Sequence, residues 1–217
     1  MKNNHTLIIG SGIVGATLAL KLAQAKMPVT LIDARPARDE SMWQAVLNKR
    51  DARVYALSLA SIHLLEDVGA WQKIAASKRK ADYSQMQVWQ LNGMGELLFG
   101  DSDSQNVAPD ILGSMVEPAV IEHALWQRIN DETVSEYLTV VAGQKVVNMD
   151  WLGTDKGYHV TLNDGTIIEA ALVVGADGRR SFVRQQAGIG LDTLDYHQTA
   201  ICCAIQTEKP HQATARQ

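Results

Sequence analysis

Three glycines in the run Gly10-Ser11-Gly12-Ile13-Val14-Gly15 have the spacing that brings a polypeptide backbone against phosphate. Gly10 allows a tight turn and Gly12 lets the main chain approach a pyrophosphate. Gly15 lets a helix pack closely on a strand, with Ile13 and Val14 presenting the N-terminus of that helix to the anion. Asp33 follows Gly15 by eighteen residues. At the end of a second strand its carboxylate can accept hydrogen bonds from both hydroxyls of a ribose, and a negative charge there disfavours a 2′-phosphate. These residues alone leave NAD, FAD and S-adenosylmethionine as alternatives.

The elements that must position them are a short apolar strand over Thr6 to Ile9, a small-residue helix over Ile13 to Ala25 and a strand over Val29 to Ile32. That is the opening β-α-β of a doubly wound sheet. Ala34 to Ala52 is polar and charged and reads as a long surface loop. Leu57, Ser61, Leu64, Leu65 and Val68 then share one helical face, with Gly69 as the stop. Met86 to Leu91 and Glu96 to Phe99 form a hairpin joined through Asn92-Gly93-Met94-Gly95, and Pro118 starts a helix that reaches Ile129. Short strands follow at Leu138 to Val141, Lys145 to Met149, Tyr158 to Leu162 and Thr166 to Glu169. Ala171 to Gly175 has the unbroken apolar run of a strand buried on both faces. It leads into Asp177-Gly178, and a last strand is expected over Thr199 to Thr207. Trp71, Trp89, Trp126 and Trp151 read as core anchors.

The net charge of −4 disfavours a nucleic-acid partner, which calls for a basic face. Cys202 and Cys203 are adjacent and are the only cysteines, so no disulfide framework or cysteine zinc site arises from them. The six histidines lack metal-ligand spacing. Leu7 to Leu22 imitates the apolar core of a signal peptide, but three glycines and Lys21 interrupt it and a second strand follows at once. The expected setting is cytoplasmic.

Gly175-Ala176-Asp177-Gly178-Arg179-Arg180-Ser181-Phe182-Val183-Arg184 resembles a segment of the flavin-dependent aromatic hydroxylases, and Asp51 to Ser58 resembles their arginine-bearing segment after the second strand. The resemblance narrows to the ubiquinone-biosynthesis hydroxylases of the VisC-like octaprenylphenol type. The segments that carry it are Leu65 to Trp71, Met115 to Trp126, Asp195-Tyr196-His197, Thr207 to His211 and Ala215-Arg216-Gln217.

The resemblance implies an α/β fold: a Rossmann-like FAD-binding domain of the glutathione-reductase-like, aromatic-hydroxylase type, with part of an antiparallel β-sheet substrate domain. Residues 1–80 and 114–190 would form the first, and residues 81–113 and 191–217 a truncated part of the second. FAD would be the cofactor and NAD(P)H the co-substrate. A flavin hydroperoxide would deliver oxygen, taken from molecular oxygen, to the ring of a polyprenylated phenol or quinol. The cofactor carries that chemistry, so no catalytic acid, base or nucleophile is named. Asp177 would lie near the flavin's pyrophosphate and ribityl chain, and Arg53 would supply a cation there. A membrane-peripheral ubiquinone-biosynthesis complex at the inner membrane and a homo-oligomer are the further partners implied.

Three departures from the family stand out. Its third motif, a Gly-Asp followed by Ala-Ala-His, is absent, since Gly100-Asp101 is followed by Ser102-Asp103. The chain therefore reads as an N-terminal portion, inactive on its own. Pro118 stands where close relatives have Asn, and Lys26 where the fingerprint usually has the glycine that ends the first helix.

Overall fold

The computed structural model describes residues 5–90, 93, 95–100 and 111–217. The opening elements are β1 (Thr6–Ile9), α1 (Ile13–Gln24) and β2 (Val29–Asp33). Leu7, Ile8, Leu31 and Ile32 are inaccessible to solvent, each contributing ~1.5–3 kcal/mol through burial. Helix α1 ends where Lys26 adopts φ 58°, the left-handed conformation that a glycine would take without strain; the cost to lysine is about 1 kcal/mol.

The stretch expected to be a loop contains α2 (Glu40–Asn48). Asp39 caps it by accepting from the Met42 amide at 2.8 Å and the Ser41 hydroxyl at 2.6 Å. Trp43 is the helix's buried residue, so the segment keeps a loop-like composition. The chain continues through β3 (Tyr55–Ser58), α3 (Leu59–Asp67), α4 (Trp71–Ala76), β4 (Lys80–Tyr83), β5 (Gln85–Trp89), β6 (Glu96–Phe99), β7 (Gly113–Val116) and α5 (Pro118–Ile129). It closes with β8 (Leu138–Ala142), β9 (Val146–Trp151), β10 (Tyr158–Leu162), β11 (Ile167–Ala170), β12 (Leu172–Gly175), α6 (Phe182–Gln186) and β13 (Thr214–Arg216). Leu91, Asn92 and Met94 of the expected hairpin, and Asp101 to Asp103, lie outside the described residues.

Two compact units result, residues 1–46 with 122–198 and residues 47–121 with 199–217. These bounds differ from a division at 80, 114 and 190, because β3 pairs with β7 and draws the chain after residue 46 into the second unit.

In the first unit, β12, β1, β2 and β8 form a parallel sheet in that order. Helix α1 packs on β1, β2 and β8, its buried face made of Gly15, Ala16, Thr17, Ala19 and Ala23 around the single large side chain of Leu20. Leu7, Ile9 and Ile32 join Val146, Val160, Leu162 and Ala170 of the antiparallel sheet β11-β10-β9 in one apolar cluster. Strand β12 differs from its sequence reading. It is an edge strand with β1 on one side, and Leu172 is 54% exposed.

In the second unit, β3-β7-β4 and β13-β5-β6 form separate three-stranded sheets. Glu117 is buried and takes a forked ion pair from Arg79, at 3.1 Å from Nε and 2.5 Å from the terminal nitrogen, together with the Asp51 amide at 3.1 Å. The strand expected at Thr199 to Thr207 does not form: the segment pairs with no described strand, and Ile201 and Ile205 are exposed. The short β13 pairs with β5 in its place. Trp89 and Trp151, expected in the core, are about half exposed, whereas Trp43 is the deeply buried tryptophan.

Candidate dinucleotide-binding site

The turn between β1 and α1 is built by glycines whose missing side chains have separate reasons. Gly10 has φ +106°, and a Cβ there would sit 2.2 Å from the Ala176 carbonyl oxygen. A Cβ at Gly15 would sit 1.9 Å from the Gly10 carbonyl oxygen. Both glycines thus close the protein on itself. At Gly12 a Cβ would meet nothing within 4 Å, so its open face is turned to empty space. Gly12 is also the N-cap of α1. It offers no capping side chain, and the first turn carries no acidic residue. The leading amide N–H groups of α1 therefore remain available to an anion.

Asp33, at the end of β2, is partly buried, with 12% of its side chain exposed. Its Oδ2 accepts from the Ser11 amide at 2.7 Å and the Ser11 hydroxyl at 2.6 Å, which ties the glycine turn to the second strand. Arg35 adds its amide at 2.8 Å and Nε at 3.1 Å to Oδ1, and a terminal guanidinium nitrogen at 3.1 Å to Oδ2. Burial works against the charge, but the hydrogen bonds from Arg35 and Ser11 outweigh it and hold the carboxyl well below the usual carboxylate range.

Asp177 follows β12. Its Oδ2 accepts from the amides of Phe182 at 2.6 Å and Val183 at 3.3 Å, capping α6, while Oδ1 is buried without a partner among the described residues. Gly10, Gly12, Asp33 and Asp177 line one cavity of about 430 Å³ within the first unit. Arg35, Lys145 and Arg180 add cations to its wall. The cavity can therefore offer a polyanion helix N–H groups and the cations of Lys145 and Arg180, with the unpartnered Oδ1 of Asp177 for a hydroxyl donor, while the Asp33 oxygens are taken up by Ser11 and Arg35. Ile13 and Val14 belong to the first turn of α1.

Arg53 lies in the second unit. Its guanidinium forks onto Asp51, with Nε at 3.2 Å from Oδ1 and a terminal nitrogen at 2.8 Å from Oδ2. Sequence reasoning missed Ser11, Arg35, Gln144 and Lys145. Ser11 and Arg35 flank motif residues, and their roles follow from the turn that puts their donors on Asp33. Gln144, whose buried Oε1 is unpartnered among the described residues, sits behind Gly143 with no local signature.

The chain is similar to known proteins over most of its length. It is 35% identical over 202 residues to 3-demethoxyubiquinol 3-hydroxylase of Escherichia coli, covering 93% of this chain and 48% of that protein. Ubiquinone hydroxylase UbiL of Rhodospirillum rubrum is 33% identical over 209 residues, with 96% of this chain and 45% of that protein covered. The human mitochondrial ubiquinone biosynthesis monooxygenase COQ6 is 30% identical over 209 residues, covering 92% and 42%. The chain thus spans a little under half the length of these relatives. In fold it matches PqsL, a probable FAD-dependent monooxygenase from Pseudomonas aeruginosa, with a TM-score of 0.63 at 22% identity, covering 89% of this chain and 48% of PqsL. With the FAD binding domain model matching residues 3–214, the chain belongs to the FAD binding domain family and is a homologue of the ubiquinone-biosynthesis hydroxylases.

Proposed function

We propose that this chain is the nucleotide-holding part of an FAD- and NAD(P)H-dependent monooxygenase that hydroxylates a polyprenylated phenol ring in ubiquinone biosynthesis. The observation that carries the reading is the meeting of the glycine turn, Asp33 and Asp177 on one cavity, in a chain whose relatives are named as ubiquinone hydroxylases. The residues present fit the adenosine and pyrophosphate half of FAD. Gly12 leaves room for a phosphate, the N–H groups of Ile13 and Val14 point along the α1 axis toward it, and Lys145 and Arg180 balance its charge. Asp33 serves the ribose, and the unpartnered Oδ1 of Asp177 accepts a hydroxyl donor. Arg53 is proposed as a further cation for the cofactor.

Bound and reduced, the flavin supplies the activation of molecular oxygen, with NAD(P)H as the electron source. The work of this chain is to hold and orient. By itself, spanning under half of its relatives, it is proposed to bind nucleotide without hydroxylating. A membrane-peripheral complex and self-association are proposed as its setting; among the described residues, no helix is long and apolar enough to cross a membrane.

Fluorescence titration of FAD with the chain tests the binding, and saturable quenching is expected. Production of the intact protein in cells deprived of a ubiquinone-biosynthesis hydroxylase tests the reaction. Restored hydroxylation of the prenylated phenol supports it. NAD(P)H oxidation without that product moves the reading to a flavin hydroxylase of another aromatic ring.

A further inference from the structure

The acceptor capacity of Asp33 is already full. A carboxylate offers about four acceptor positions, and five donors claim those of Asp33: the Ser11 amide and hydroxyl, and the Arg35 amide, Nε and terminal guanidinium nitrogen. A ribose diol arriving at this carboxylate finds no vacant oxygen lone pair.

The five donors differ in how easily they can leave. The Ser11 amide belongs to the glycine turn, and the Arg35 main chain is pinned because its carbonyl accepts from the Gly143 amide at 2.9 Å. The Arg35 guanidinium is bound by neither restraint, and its side chain is 51% exposed. Rotating it away releases one position on Oδ1 and relieves the crowding on Oδ2. Glu122 lines the same cavity and provides a second carboxylate for the displaced cation, being held by Arg38 at 4.0 Å.

We propose that Arg35 is a removable plug on the ribose seat. Its guanidinium occupies Asp33 in the free protein and must swing off before an adenosine diol is bound, so it sets the affinity of the site for free ribose hydroxyls. This rests on the reading of the cavity as a nucleotide site. It assigns Arg35 the opposite sign from a phosphate-binding cation, whose removal would weaken binding.

The test is isothermal titration of the chain with ADP and with 2′,3′-dideoxy-ADP, for wild type, Arg35→Met and Arg35→Gln. Loss of the guanidinium is expected to tighten ADP by roughly two- to five-fold, the range for releasing one partly exposed ion pair, and to leave the dideoxy analogue unchanged. Unchanged or weaker ADP binding by both variants overturns the proposal, as does an equal gain for the dideoxy analogue. Absence of ADP binding by wild type and both variants overturns the nucleotide-site reading, and the plug with it. Binding by wild type without tightening in the variants overturns the plug alone.

Discussion

Replacing Gly12 with valine separates a ligand-facing glycine from a fold-facing one, since the structure treats Gly12 and Gly15 in opposite ways. A side chain at Gly12 meets no protein atom within 4 Å, and its backbone at φ −65°, ψ 179° is open to any residue. The change should cost the fold no more than ~1 kcal/mol, the scale of an altered N-cap. The branched side chain stands where a pyrophosphate would approach, and forfeits one or two charge-assisted hydrogen bonds of about 1.5–3 kcal/mol each. A loss of about 3 kcal/mol corresponds to roughly 150-fold in Kd. Gly15→Ala is the control. Its Cβ would lie 1.9 Å from the Gly10 carbonyl oxygen, an approach that only a shift of the α1 backbone relieves. Overpacking of this kind costs ~1–3 kcal/mol, and the better helix propensity of alanine returns about 1 kcal/mol at most. Urea unfolding followed by tryptophan fluorescence, together with ADP titration, measures both quantities. Gly12→Val should unfold within about 1 kcal/mol of wild type and bind roughly 150-fold more weakly, whereas Gly15→Ala should unfold at lower urea. A Gly12→Val protein that keeps its affinity, or that unfolds as readily as Gly15→Ala, refutes the reasoning.

Asp33 is held below its unfolded pKa, so its contribution to stability is full above about pH 4 and is lost as pH falls further. The stability gap between wild type and Asp33→Asn should accordingly narrow in urea melts taken below pH 4; a gap independent of pH there argues against the hydrogen-bonded carboxylate. In the second unit, Arg79→Met strands the buried Glu117 carboxylate and should destabilise by about 3–5 kcal/mol. The double change Arg79→Met with Glu117→Leu should recover a large part of that loss in the same melts, and no recovery would mean that packing, not charge, sets the cost. Cys202 and Cys203 are exposed, so both should react with a thiol reagent in the absence of denaturant. A titre below two thiols per chain would show that the 199–207 segment is covered in solution.

The β1-α1-β2 unit was legible because its information is local. Periodicity marks the elements, three glycines mark the turn, and Asp33 and Asp177 sit at strand ends where the parallel sheet delivers them to one cavity. What escaped depends on distant partners. Helix α2 buries one residue, Trp43, whose neighbours Trp126 and His123 are some eighty positions away, so its polar composition looks like a loop. Strand β12 has the apolar run of a central strand but stands at an edge, because sheet order is not written in any one strand. Ile201, Cys203 and Ile205 alternate as a strand should, yet alternation without a neighbouring ladder makes no strand. The Ser11 and Arg35 contacts to Asp33 arise from turn geometry, which residue types alone do not specify.

The central claim is that the glycine turn and the segment after β12 together hold an adenosine pyrophosphate. It is tested most directly by assigning the backbone amide resonances of the 15N-labelled chain and titrating with ADP, then with FAD. Saturable shifts are expected at Ser11, Gly12, Ile13 and Val14 and at Asp177 and Gly178, while amides of β9 and β10 away from the cavity stay in place. Shifts confined to other parts of the chain, or no shifts at millimolar nucleotide, would contradict it.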